Sequence, residues 1–125
     1  MEFEYTVRQV GDITVLDLSG RMLFGSGAPH QLHELVREQI RQGHKKILIN
    51  LRGMDKPDTS GLGALVSALT TVANHGGMLR FCAANKGVTE LLRMTKLDSV
   101  FKVTADEASA MEALSAKQQM KATGT

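Results

Sequence analysis

Two adjacent hydroxyl residues, Thr59 and Ser60, stand between the acid Asp58 and the pair Gly61 and Leu62, where a polar stretch gives way to an apolar run. Leu62, Leu65, Val66 and Leu69 recur at steps of three and four, which predicts a helix over about 59–73 with one face buried and its first turn near the surface. A helix start offers free backbone N–H groups and the positive end of the macrodipole, so a phosphoryl group on Ser60 would have part of its charge offset locally. The same residue types are ordinary N-caps, and Gly61 and Gly63 also suit a tight entry into a helix, so local spacing by itself favours capping. An aspartic-protease triplet does not fit, because Thr59 and Ser60 both intervene between Asp58 and Gly61.

The remaining chemistry-bearing residues form no second constellation. Gly25-Ser26-Gly27 matches neither a P-loop nor a dinucleotide fingerprint. His30 and His33 lie one turn apart on a predicted helix, but no acidic or Cys partner is placed with them, so a solvated helix face outweighs a metal site. Nothing sets His30, His33, His44 or His75 beside Ser60 with an orienting acid, and the chain is not read as an enzyme. Cys82 is the single cysteine and sits in an apolar run, as a small buried hydrophobe does, which suits a reducing compartment.

The elements that must position Thr59 and Ser60 follow from periodicity. Phe3, Tyr5 and Val7 alternate with polar residues, predicting a strand with one face buried, and Gly11-Asp12 turns it into a second strand over 13–18. Ser26 is a candidate cap for a helix carrying Leu32, Leu35, Val36 and Ile40, which Gly43 stops. Ile47 to Leu51 reads as an interior strand covered on both faces, and Pro57 keeps the following loop extended as far as Asp58. Asn74 to Gly77 closes the central helix, 78–84 is a further strand, and Asn85 caps a short helix bearing Val88, Leu91 and Leu92. Val100 to Val103 reads as a short strand, and Thr104 with Glu107 gives the capping-box pattern of a last helix. The fold class is therefore α/β, a mixed sheet of about five strands, antiparallel at the N-terminal hairpin and largely parallel after it, with about four helices. The domain spans 1–114, and 115–125 lacks a sustained apolar face and reads as a flexible, frayed tail.

Composition narrows the function classes. The 125 residues, 42% of them hydrophobic, suffice for one modest core and not for two ordinary domains. A net charge of +2 without a basic block, and no Trp among only five aromatic residues, argue against direct nucleic-acid binding. The start Met-Glu-Phe-Glu-Tyr lacks a signal-peptide pattern and no apolar stretch reaches membrane-spanning length, so the expectation is a cytoplasmic protein that makes no membrane contact.

The order of these elements, with Asn50-Leu51-Arg52-Gly53-Met54-Asp55 leading to Asp58-Thr59-Ser60-Gly61-Leu62-Gly63, resembles the STAS domain family from about Phe3 to Leu114. It is similar in particular to the stand-alone bacterial anti-sigma factor antagonists. The resemblance implies a partner-switching regulator of transcription that, when unmodified, binds an anti-sigma factor which is also a serine kinase of the histidine-kinase-like ATPase type. Phosphorylation of the motif would end that binding and a PP2C-type phosphatase would restore it. Carried onto this chain, Ser60 is the first choice as phosphoacceptor and Thr59 the second, Asp58 would orient the loop, and Gly61 belongs to the motif. Lys56 and Leu62 are adjacent candidates for exposed partner contacts. ATP and Mg²⁺ would belong to the kinase, so no cofactor or metal is expected here, and the chain would be a monomer or weak dimer. The alternative is a STAS module that works without phosphorylation, as a scaffold or as a binder of a nucleotide or lipid. Many family members place an aromatic or aliphatic pair before the motif aspartate, where this chain has Lys56-Pro57.

Overall fold

The computed structural model describes residues 3–22, 27–55, 57 and 59–123, with the backbone alone described at 59, 60 and 116–123. The order is β1 (Glu4–Val10), β2 (Ile13–Gly20), α1 (Ala28–Arg41), β3 (Lys46–Met54), α2 (Thr59–Asn74), β4 (Met78–Cys82), α3 (Lys86–Met94), α4 (Asp98–Phe101) and α5 (Glu107–Thr123). The strands form one sheet in the order β1-β2-β3-β4. Its first pair is antiparallel and the next two are parallel. Gly11, at φ 61, occupies the first central position of the hairpin turn, a conformation that costs glycine little. The α/β class and the antiparallel opening of the mixed sheet agree with the sequence expectation.

Alternation along the strands divides the core between two faces. Leu16, Leu18, Ile47, Ile49, Leu51, Leu79 and Phe81 face one side, where they meet buried residues of α1, α2, α3 and α4. Ile13, Val15, Leu48 and Cys82 face the other and are covered by Ala110 and Leu114 of α5. β3, flanked by strands and buried on both faces, is the interior strand its apolar run predicts.

Four expectations about elements are corrected. All seven residues of β1 are exposed rather than alternately buried, because the strand pairs on one side only and Tyr5 and Val7 remain nearly half uncovered. The segment expected as a strand over Val100 to Val103 is instead helix α4 followed by a single parallel bridge, Cys82 to Thr104. Phe101 from that helix stacks on Phe81 with ring centroids 4.5 Å apart, and this burial outweighs the β propensity of so short a run. The expected capping box shifts by two residues: Asp106 Oδ1 accepts from the Ser109 N–H at 2.8 Å, and Glu107 turns to Arg8. Past Ser115, where the sequence suggests a frayed tail, the backbone continues α5 to Thr123.

The helix ends follow the punctuation more closely. Gly43 (φ 86) and Gly76 (φ 77) stand just beyond α1 and α2 in the left-handed region. Asn85 caps α3, its Oδ1 accepting from the Val88 N–H at 2.9 Å. Ser26, expected as the α1 cap, lies outside the described residues, and Gly27 occupies the cap position with Pro29 in the first turn.

Candidate functional site

The site is assembled where the parallel strands end. β3 runs to Met54, beyond the apolar stretch that marks it in sequence, because Gly53 and Met54 still pair with Ser19 and Gly20 of β2. A Cβ at Gly53 would lie 2.9 Å from the Ser19 Cβ and 3.1 Å from the Leu18 oxygen, so only glycine lets the strands approach this closely beside the register shift after Asp17. The Asp55 N–H donates to the Gly20 carbonyl at 2.9 Å, holding the two strand ends side by side. Arg21 and Asp55 follow them as a loose surface pair, 3.9 Å apart with both side chains more than half exposed, a geometry that contributes little stability.

From there the chain passes the buried Pro57 and enters α2 at Thr59. Gly61 is buried, and a Cβ on it would overlap the backbone carbonyl of the fully buried Met22 and stand 2.9 Å from the Pro57 Cβ. The first turn of α2 is thus wedged against the segment that leaves β2. Asn85 ties in the third strand end: its Nδ2 donates to the Met54 carbonyl at 2.7 Å while its Oδ1 caps α3.

Of the residues singled out in sequence, Thr59 and Ser60 are the first two positions of α2, at the carboxyl edge of the sheet. Their backbone N–H groups are among those a helix start leaves without intrahelical partners. Their side chains, and the whole of Lys56 and Asp58, lie outside the described residues. Leu62 corrects an expectation: at 4% exposure it belongs to the core with Leu65, Ala68 and Val72, because the helix turns that position inward, so it is no exposed contact. His44 and His75 sit at the other edge of the sheet. His75 bonds the Thr71 carbonyl at the far end of α2, roughly 24 Å from its start for a helix of this length, and His44 bonds Gln39 after α1. His30 is exposed and His33 half-buried on α1, and among the described residues no three His, Cys, Asp or Glu side chains cluster as metal ligands do.

One polar cluster escaped sequence reading. Arg8 of β1 donates from Nε to Asp17 Oδ2 at 2.6 Å and from Nη2 to Asp17 Oδ1 at 3.0 Å. The same guanidinium reaches Glu107 of α5 at 2.5 and 3.3 Å. Asn50 and Thr6 also donate to Asp17, at 2.9 and 3.2 Å. The Arg8 guanidinium holds the Asp17 carboxyl below the usual carboxylate range. The partners lie 9 and 99 residues from Arg8, and only the first could have been suspected, from the hairpin register. Burial pushes the Cys82 thiol up to about 11, so it is un-ionised near neutral pH.

A model of the STAS domain matches residues 4–110. The chain belongs to the STAS domain family. The proteins it resembles include anti-sigma factor antagonists, and the STAS sheet with its N-terminal antiparallel pair is the architecture described above. A Thermotoga maritima protein named as a candidate anti-sigma factor antagonist is 29% identical over 75 residues, which is 60% of this chain and 66% of that one. An anti-sigma factor antagonist from Mycobacterium paratuberculosis superposes with a TM-score of 0.78 at 16% identity, covering 90% of this chain and 94% of the other. The Bacillus cell fate determinant SpoIIAA in its phosphorylated form superposes with a TM-score of 0.66 at 18% identity, covering 88% and 98%. At these identities the solved structures show a shared fold. No helix among the described residues is long and apolar enough to cross a membrane.

Proposed function

We propose that this STAS domain is an anti-sigma factor antagonist controlled by phosphorylation of Ser60, with Thr59 as the second acceptor. The unmodified form binds an anti-sigma factor that is also a serine kinase, and the phosphorylated form is released until a PP2C-type phosphatase restores it. The observation that carries this reading is the position of the paired hydroxyl residues as the first two of α2, on a helix start braced by Gly61 against Met22. A STAS protein of the same fold, SpoIIAA, exists in a phosphorylated form. Asp58 orients the acceptor loop and Lys56 contributes to the partner-facing surface.

The physical basis of the switch is charge. A phosphoryl group adds about −1.5 to −2 charges at neutral pH. Within a protein interface that charge must find a partner or lose its water, at a cost of several kcal/mol, and each ~1.4 kcal/mol is a tenfold loss of affinity. No refolding is required, because the brace at Gly61 lies on the buried side of the helix start.

The test pairs phosphotransfer with binding. Incubation with the kinase-type anti-sigma factors of the source genome and Mg-ATP should add one phosphoryl group, located by mass spectrometry between Lys56 and Leu69. Ser60→Ala should bind the same partner as the wild type does, and Ser60→Asp at least tenfold more weakly. Equal affinities for the two variants would contradict the charge mechanism. Absence of phosphotransfer by every such kinase would contradict the assignment itself.

A further inference from the structure

The two edges of the sheet are treated differently. At the β4 edge the ladder is blocked near its end, where the Ala83 N–H donates to Thr104 at 3.0 Å and the Thr104 N–H to Phe81 at 3.1 Å. At the other edge β1 pairs with β2 alone, and its sequence, Glu-Tyr-Thr-Val-Arg-Gln-Val, contains neither the Lys nor the Pro that commonly protects an open strand. Tyr5, Val7 and Val10, at 46%, 45% and 40% exposure, are three of the large apolar side chains left uncovered among the described residues.

We propose that two copies of this chain pair through β1, antiparallel about a two-fold axis at Thr6, so that their sheets become one. The inference does not depend on phosphorylation of α2. The two-residue turn makes Val10 and Ile13 the closing hydrogen-bonded pair of the hairpin, and alternation then turns the backbone N–H and C=O of Tyr5, Val7 and Gln9 outward. A second strand satisfies those groups only if odd-numbered residues face odd-numbered ones. With Thr6 opposite Thr6, Tyr5 faces Val7 and Glu4 faces Arg8 of the second copy, and the reverse pairs follow by symmetry. Aromatic with β-branched, Thr with Thr, and acid with base are each favourable cross-strand pairs. A slip of two residues towards the hairpin turn sets Glu4 against Val10 and loses the ion pair, whereas the opposite slip puts Glu2 in place of Glu4 opposite Arg8 but shortens the paired stretch of β1 to residues 4–6. Charge disfavours the first and the short ladder the second, while the apolar pairs and backbone bonds supply affinity. Arg8 spends four hydrogen bonds on Asp17 and Glu107, leaving one of the five guanidinium N–H groups for the incoming Glu4. An edge strand whose residues before Thr6 complement those after it, acid to base and aromatic to β-branched, fits a second copy of itself better than a foreign strand.

Sedimentation equilibrium on the wild-type chain should show the mass rising from one chain to two between micromolar and millimolar concentration. Val7→Pro removes an outward N–H, sparing the hydrogen bonds to β2, and Val7→Lys places charge at the joint; both should stay monomeric with unchanged circular dichroism. The register is read by cross-linking. A non-hydrogen-bonded antiparallel pair sets Cα atoms about 4.5 Å apart, inside the disulfide range of about 4.4–6.8 Å. Thr6→Cys treated with diamide should therefore give covalent dimer rapidly and Val10→Cys should not, the buried Cys82 staying silent in both. A wild-type chain monomeric at every concentration, dimeric Val7→Pro and Val7→Lys variants, or equal cross-linking at positions 6 and 10 would each overturn the proposal.

Discussion

Gly61 and Gly63 lie two residues apart in one helix and answer to different constraints. A methyl group at Gly61 runs into the Met22 carbonyl, which is backbone and cannot swing aside. At Gly63 the position is exposed and nothing lies within 4 Å, so that glycine only weakens the helix. Gly61→Ala should lower stability by about 1–3 kcal/mol, the usual cost of overpacking, whereas Gly63→Ala should raise it by about 0.5–1 kcal/mol. Denaturant midpoints of the two variants decide this, and a shift of both in the same direction would show that the brace at Met22 is not what requires glycine. Sequence presented the two residues as equivalent parts of a tight helix entry. The distinction depends on a carbonyl 39 positions earlier in the chain, which no local pattern encodes.

At the scale of elements, the region between β4 and α5 shows how burial overrules local preference. Val100 to Val103 is short, apolar and bounded by polar residues, which suits a strand and a buried helical turn equally. The choice falls to α4 because Phe101, 2% exposed, stacks on Phe81, while its neighbour Val100 remains 48% exposed. Phe101→Ala should cost about 3–5 kcal/mol, as the loss of a buried aromatic side chain does, and Val100→Ala should stay within about 0.5 kcal/mol, as surface changes do. Comparable losses at both positions, measured by thermal or urea unfolding, would instead fit the extended segment that sequence suggested. The shift of the α5 cap from Thr104 to Asp106 belongs with this. Thr104 spends its backbone on the bridge to β4, so the helix starts later and Glu107 is released to meet Arg8.

Across the whole molecule, Arg8 ties β1 to β2 and α5, two of the elements that build the smaller core. The Asp17 carboxyl titrates below its ordinary value of about 3.9, so its stabilising effect is complete above that value and is lost as pH falls through the depressed folded value. Arg8→Met should therefore lower stability by about 1 kcal/mol near neutral pH, a figure kept small because the guanidinium is 42% exposed and screened. The difference from wild type should be complete above the ordinary aspartate value of about 3.9 and shrink as pH falls below it towards the depressed folded value of Asp17. Urea unfolding at several pH values reads it directly, and a difference that grows on acidification would show the sign to be wrong.

By itself the sequence determined the α/β class, the hairpin, the interior strand and helices α1, α2 and α3, together with the glycines that close α1 and α2 and the Asn85 cap that opens α3. Those features are written in short-range periodicity and in the backbone preferences of Gly, Pro and Asn, which act within a few residues. It also placed Thr59 and Ser60 at a helix start. Tertiary structure alone decided that Gly61 must lack a side chain, that β1 stays uncovered, and that Arg8 meets Glu107. Each of these depends on groups far apart in the chain being brought within van der Waals or hydrogen-bonding distance, and forces of such short range act only after the sheet and its helices have closed around a common core.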